Sequence, residues 1–206
     1  MSRPRIAFLL IAGVITLLFI IKSVAIVQAR PPRGPVLQIG SRMKGDPQAP
    51  VKVIEFTDFQ CPACAKTNGI FDDILKKYPG KIFVDHRHFP LGMHAHARRA
   101  SLFAECAAAQ GKFWPMQDVL FKSQTSWAQM GSVDSYFGTL GVSLGMDGRR
   151  LTACVNSPAT EQTILKDIAD GNRRGVNSTP TFFVNGKIAV GSVQLAAAIE
   201  ELLGKK

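Results

Sequence analysis

The chain has 206 residues and an apolar fraction of 46%, which suits one compact domain with a sizeable core and excludes a disordered chain. Its formal net charge of +10 would suit nucleic-acid binding, but seven of the 25 basic residues precede Asp46, the first acidic residue. From Asp46 onward, 18 basic residues stand against 15 acidic ones, a net charge of only +3. The excess charge therefore belongs to the N-terminal segment, and we expect no nucleic-acid partner.

The N-terminal segment, residues 1–29, joins basic residues to a long apolar run. Arg3 and Arg5 precede sixteen residues, Ile6 to Ile21, that contain no charge and no proline. This order is typical of an export signal, which a signal peptidase could cleave after Ala29. Alternatively, Ile6 to Val27 spans 22 residues, enough to cross a bilayer as a transmembrane helix. We favour this uncleaved anchor, because the run exceeds a usual signal-peptide core, and we expect the remainder outside the cytoplasm.

A tether is expected between this segment and the folded domain. Residues 30–50 contain five prolines and three glycines, with a short edge strand expected at Val36–Ile39. The folded domain is then expected to occupy residues 51–206.

Apolar patterning in that domain alternates between the two periods typical of strands and helices. Asn185-Gly186 is a strong hairpin signal between two short strands. The predicted elements, in chain order, are a buried strand at Val51–Phe56, a helix ending near Tyr78, a strand at Lys81–Phe89, a helix-rich stretch from His94 to Arg174, the hairpin, and a helix from Ser192 to Leu203. This order predicts an α/β fold with a helical subdomain inserted at about residues 93–174.

Cys61 and Cys64 stand where the first strand feeds the first helix. At a helix N-terminus, unpaired backbone N–H groups and the helix dipole stabilise a thiolate, the form of cysteine that attacks disulfides. Cys61 is therefore the predicted reactive thiol, and Cys64, one turn into the helix, is close enough to form a disulfide with it. Pro62 fits the first helical turn, where its missing N–H costs nothing.

Metal binding and structural pairing are the alternatives for the cysteines and histidines. A structural zinc site needs four ligands, and one C-x-x-C pair supplies two. The four histidines cluster between His86 and His96, but we expect them to be surface and helix-start residues near the cleft, and we predict no metal site and no cofactor. Cys106 and Cys154 lie in predicted helices of the insertion, where they form either a structural disulfide or two buried, inert thiols.

A proline opens the strand near the end of the chain, in the sequence STPTF from Ser178 to Phe182. A cis bond between Thr179 and Pro180 would turn the chain sharply and leave the backbone of Thr179 free to pair with an extended partner. A trans proline before an edge strand is the commoner arrangement for an X-Pro bond. The sequence STPTF alone leaves both the cis and the trans state of this bond open.

Together these residues resemble the DsbA-like branch of the thioredoxin superfamily, exported thiol:disulfide oxidoreductases. The resemblance extends over about Gly45 to Leu203 through four stretches: VIEFTDFQCPAC, HFPLGMHAHARRA, AECAAAQGKFWPM and GVNSTPTFFVNGK. It implies a thioredoxin-like fold in which a helical domain separates the redox motif from a cis-proline. Pro180 follows Cys61 by 119 residues, which leaves room for such a domain.

The resemblance also implies roles for individual residues. Cys61 is implied to be the attacking, solvent-facing thiol and Cys64 its resolving partner, while Thr179 and Pro180 dock the substrate backbone. Glu55 is implied to be a buried acid that moves protons to and from Cys64; a salt-bridged carboxylate, or one at the edge of the cleft, is the alternative. The sequence departs from the most oxidising relatives at Ala63, which stands where they have histidine, so the helix terminus must provide more of the thiolate stabilisation.

The expected function is therefore extracytoplasmic thiol–disulfide exchange. We expect an enzyme that introduces disulfides into exported proteins, is reoxidised by a membrane redox partner, and works as a monomer. The alternatives are a disulfide reductase or isomerase, and a non-catalytic anchored chaperone or copper-binding protein that uses the two thiols as soft ligands.

Overall fold

The computed structural model describes residues 42–204. The strands are β1 Met43–Lys44, β2 Val51–Thr57, β3 Ile82–His88, β4 Thr181–Val184 and β5 Lys187–Val190. The helices are α1 Pro62–Lys77, α2 Ala97–Ala108, α3 Phe113–Lys122, α4 Gln124–Trp127, α5 Asp134–Ser143, α6 Gly148–Val155, α7 Pro158–Arg173 and α8 Gly191–Leu203. The predicted α/β fold with a helical insertion is confirmed, and the insertion, α2 to α7, lies between β3 and β4.

The strands form one mixed sheet in the order β1-β3-β2-β4-β5. β2 pairs in parallel with β3, from Val51 opposite Ile82 to Thr57 opposite His88, and the helix α1 makes the crossover that a parallel pair requires. β4 runs antiparallel to β2 and forms the predicted hairpin with β5. Asn185 and Gly186 make the turn with φ of 46° and 85°, the left-handed region in which Asn and Gly are tolerated best.

Two large apolar clusters and a smaller one, made of Phe56, Phe89 and Val176, hold the described part of the chain together. The first joins the sheet to α1 and α8; it contains Val51, Val53, Phe71, Ile82, Val84, Phe182, Leu195 and Ile199. The second fills the helical insertion; its large members are Phe103, Phe113, Met116, Leu120, Trp127, Phe137, Leu151 and Ile164. This second cluster also contains Phe59, Cys61 and Cys64. The insertion core therefore supports the start of α1 directly.

A disulfide links two helices of the insertion. Cys106 on α2 and Cys154 on α6 are bonded, with their Cα atoms 5.7 Å apart. Cys61 and Cys64 are free thiols in the same structure. Of the two arrangements left open for Cys106 and Cys154, the structure has the bonded one.

The stretch expected to be a tether contributes to the folded unit at its C-terminal end. Met43–Lys44 pairs antiparallel with β3, opposite Asp85 and Val84. Arg42 is mostly buried and forms ion pairs with Glu105 and Asp167. Structure therefore begins before the expected boundary at residue 51, because one cation neutralises two buried carboxylates.

The predicted signal or anchor at 1–29 and the predicted edge strand at Val36–Ile39 lie outside the described residues. Within residues 42–204, no helix combines the length and the apolar character needed to cross a membrane.

Candidate active site

Cys61 occupies the N-cap of α1, and Pro62 is the first helical residue, as the sequence predicted. The Cys61 backbone is extended, with φ −74° and ψ 120°, and no side chain caps the helix. Its carbonyl accepts hydrogen bonds from the backbone N–H groups of Cys64 and Ala65, at 3.1 and 3.2 Å. The backbone N–H groups of Ala63 and Cys64, in the first helical turn, also form hydrogen bonds with the sulfur of Cys61.

The Cys61 thiol ionises far more readily than a free cysteine, because its pKa is lowered to about 5. The largest cause is a hydrogen bond from the Cys64 thiol; burial opposes it. Hydrogen bonds from the backbone N–H groups of Cys64 and Ala63 lower the pKa further. At neutral pH the reduced protein therefore carries a thiolate at Cys61.

The Cys64 thiol, by contrast, ionises less readily than a free cysteine. Burial raises the pKa of the Cys64 thiol, and both the hydrogen bond to Cys61 and the negative charge of Cys61 raise it further. Cys64 is 2% exposed and Cys61 7% exposed. The order of exposure follows the prediction, but Cys61 is more enclosed than a solvent-facing thiol, because residues of the insertion core pack around it.

The residue that precedes Pro180, Thr179, lies against the sulfur of Cys61. The bond between Thr179 and Pro180 is cis, and the Cys61 sulfur lies 3.4 Å from the Thr179 carbonyl oxygen. The Pro180 carbonyl accepts a hydrogen bond from the backbone N–H of Gly191 at the start of α8. The structure thus brings Thr179 to the Cys61 and Cys64 pair across a sequence separation of 118 residues.

Glu55 lies on β2, buried to 3% exposure. Its carboxylate Oε2 is 3.8 Å from Nδ1 of His86, which stands opposite it on β3. Thr57, two residues further along β2, lies close to Cys64 and lowers the pKa of that thiol. Residues two apart on a strand share a face, so Glu55 is on the face of the sheet that carries Thr57 toward Cys64.

The histidine prediction was wrong for two of the four residues. His86 and His88 are fully buried, and Phe59 stacks on the His86 ring at 5.7 Å between centroids. Burial lowers the pKa of His88 well below its ordinary value. His94 and His96 precede α2, which begins at Ala97, and do not lie within it.

In residues 42–204 no group of three or more His, Cys, Asp or Glu side chains could hold a metal ion.

Two residues that sequence reasoning missed organise the loop before Cys61. Asp58 is fully buried, and its backbone carbonyl accepts the N–H of Cys61 at 3.1 Å. The side-chain amide of Gln124 on α4 donates to the carbonyls of Phe59 and Cys61, at 2.7 and 3.0 Å. The sequence contains one signal for Asp58: it stands between two aromatic residues, Phe56 and Phe59, and a carboxylate buried there requires several hydrogen-bond donors.

Residues 38–202 match the thioredoxin family, and the chain belongs to that family. It is 25% identical to BdbD from Bacillus subtilis in its oxidised form, with a TM-score of 0.70 over 81% of this chain and 94% of that one. It is 24% identical to alpha-DsbA1 from Wolbachia pipientis, with a TM-score of 0.69 over 79% and 90% of the two chains. The resemblance to DsbA-like proteins of the thioredoxin superfamily is confirmed.

A longer protein also contains a related segment. The Na(+)/H(+) antiporter NhaA 1 of Mycobacterium sp. (strain KMS) is 34% identical over 166 residues, which are 78% of this chain and 26% of the antiporter. The chain therefore spans about a quarter of the length of the curated relatives it matches.

Proposed function

We propose that this protein is an extracytoplasmic thiol:disulfide oxidoreductase that introduces disulfides into exported proteins through Cys61 and Cys64. In the oxidised enzyme, a substrate thiolate attacks Cys61 and forms a mixed disulfide. A second substrate thiol then displaces Cys61, so the substrate leaves oxidised and the enzyme pair is left reduced. A membrane redox partner restores the disulfide, and the enzyme works as a monomer without a cofactor.

The lowered pKa of Cys61 is the observation that carries this proposal. A cysteine with a pKa of about 5 is a good leaving group, so the second substrate thiol displaces it readily. A thiolate that is stable at neutral pH also stabilises the reduced enzyme relative to the disulfide form. That difference makes the disulfide more oxidising, which favours transfer of the disulfide to substrates.

The neighbouring residues support two further roles. The carbonyl of Thr179 lies beside the Cys61 sulfur, at the place where an extended substrate could pair with the backbone before Pro180. Glu55 is proposed to move protons to and from Cys64, whose raised pKa means that it must lose a proton before it attacks a mixed disulfide. Thr57 would connect the two, since it lies on the face of β2 that Glu55 shares.

The location rests on different evidence. The basic and apolar residues of 1–29 support export, as an anchor or as a cleaved signal, with 30–50 as the tether that precedes the domain. The disulfide between Cys106 and Cys154 supports an oxidising compartment, because structural disulfides seldom persist in the cytoplasm. We therefore propose a periplasmic or extracellular face, attached to the membrane.

Equilibration with glutathione buffers tests the direction of exchange. We expect a reduction potential above about −200 mV, and a potential near about −270 mV, that of thioredoxin, would contradict the oxidase assignment. The roles of the two cysteines require a second experiment with a reduced, unfolded dithiol substrate. Cys61→Ser should abolish its oxidation, whereas Cys64→Ser should accumulate mixed disulfides; an active Cys61→Ser variant would overturn the proposed function.

A further inference from the structure

A groove of about 450 Å³ opens beside the start of α1. It is lined by Gln60, Pro62, His94, Gln124, Thr125, Ala128 and Gln129. Pro62 directly follows Cys61, so a peptide joined to Cys61 has this groove beside it. Among the lining residues only His94 has an ionisable side chain.

Asp58 fixes the His94 ring in this groove. The Asp58 carboxylate is fully buried, and His94 Nδ1 lies 2.7 Å from its Oδ2. The same carboxylate accepts the backbone N–H groups of Gln60 and Leu91, at 2.7 and 2.8 Å. A carboxylate that accepts at both oxygens acts only as an acceptor, so Nδ1 of His94 must carry the proton.

The tautomer determines what the ring offers to the groove. With its proton on Nδ1, neutral His94 presents Nε2 as an acceptor, and its side chain keeps 18% exposure. A buried carboxylate that orients an imidazole beside a nucleophile is the arrangement that makes histidine an effective base. Nothing in the thiol exchange derived above uses this pair.

We propose that His94 is the base that takes the proton from the substrate thiol which resolves the mixed disulfide on Cys61, with Asp58 as its positioning residue. This inference rests on the proposed function. Cys61 cannot act as this base, because its sulfur is bonded to substrate at that moment. Ala63, between the two cysteines, carries no group that could do so, and the His96 ring nearby is bonded to the Met130 carbonyl.

The step is balanced in atoms and electrons. The substrate S–H bond breaks, its proton goes to Nε2 of His94, and the new thiolate attacks the substrate sulfur attached to Cys61. One S–S bond forms within the substrate as the S–S bond to Cys61 breaks, and Cys61 leaves as a thiolate with the electron pair. The substrate is oxidised, the enzyme is reduced, and His94 returns its proton to solvent.

The size of the effect follows from the ionisation of the substrate thiol. An ordinary cysteine, with a pKa of about 8.5, is only about 3% thiolate at pH 7. Without His94 the reaction must rely on that fraction, so the loss of rate reaches about 30-fold at pH 7. At pH 9, where most of the thiol is already ionised, the loss should shrink to less than about two-fold.

The test isolates the resolving step in the Cys64→Ala background. A peptide with two cysteines is joined chemically to Cys61 through one of them, and release of the oxidised peptide is followed by acid quenching and mass spectrometry from pH 6 to pH 9.5. We expect His94→Asn to slow release strongly at pH 7 and hardly at all at pH 9. Asp58→Asn should change the profile in the same direction.

Two controls distinguish a role of His94 as a base from a purely structural role. His96→Asn alters a histidine outside the groove and should keep the original profile. A peptide whose free cysteine is replaced by selenocysteine, which is ionised at pH 7, should be released equally fast from the His94→Asn variant and its parent. Equal slowing at every pH, or no rescue by selenocysteine, would overturn the role of His94. No release from the parent itself would instead contradict the proposed function.

Discussion

Removal of the disulfide between Cys106 and Cys154 should destabilise the protein by about 4 kcal/mol. The bond closes a loop with a sequence separation of 48 residues, and the loop-closure entropy lost from the unfolded chain corresponds to about 4 kcal/mol at 25 °C. For a chain of this size such a loss lowers the melting temperature by roughly 8–16 °C.

Urea unfolding of Cys106→Ala/Cys154→Ala measures the effect. Both the variant and its parent should carry Cys61→Ser and Cys64→Ser, so that no other thiols rearrange during unfolding. The slope of unfolding free energy against urea should also rise, because the unlinked chain exposes more surface when unfolded. A loss below about 1 kcal/mol with an unchanged slope would show that the bond does not constrain the unfolded chain, and would refute the reasoning.

Three further predictions concern charged groups. The lowered pKa of Cys61 stabilises the reduced folded protein, fully above the pKa of about 8.5 in the unfolded chain and still by about 3 kcal/mol at pH 7. This stabilisation is lost as the pH falls through about 5. In urea unfolding, the difference in unfolding free energy between the reduced parent and Cys61→Ser should therefore shrink to nothing by about pH 4. Arg42→Ala removes the cation that Glu105 and Asp167 share and leaves Asp167 only its longer ion pair with Arg87, so it should cost about 3–5 kcal/mol in the same assay; a loss near zero would contradict the buried pairing. Glu55→Gln should slow the step in which Cys64 displaces a small monothiol bonded to Cys61, without changing the pH at which Cys61 ionises. An unchanged rate would exclude the proton-transfer role of Glu55.

Local chemistry in the sequence was enough to predict the redox helix and the hairpin. A C-P-x-C stretch after an apolar strand defines a helix start whatever the rest of the chain does, and Asn185-Gly186 suits only a narrow range of turns. The cis state of Pro180 was different, because the residues around it allow either isomer. Only the resemblance to relatives favoured the isomer that the structure has.

The remaining features depend on contacts between distant parts of the chain. Arg42 pairs with Asp167 across 125 positions, and no local pattern identifies a residue in a proline-rich stretch as the partner of two buried carboxylates. His86 and His88 alternate along β3 as exposed residues also would, and they are buried because Phe59 and Phe113, which are distant in the sequence, pack on both rings. Asp58 bonds His94 across 36 positions, so its function in the groove could not be predicted from the TDFQC stretch.

The central claim is that the start of α1 holds Cys61 as a thiolate at neutral pH. Titration of the reduced protein by the ultraviolet absorbance of its thiolates tests this most directly, with Cys61→Ser as the reference. The account predicts a single transition near pH 5 that is missing from the variant. A transition near about pH 8.5, as expected for a free cysteine, would contradict it.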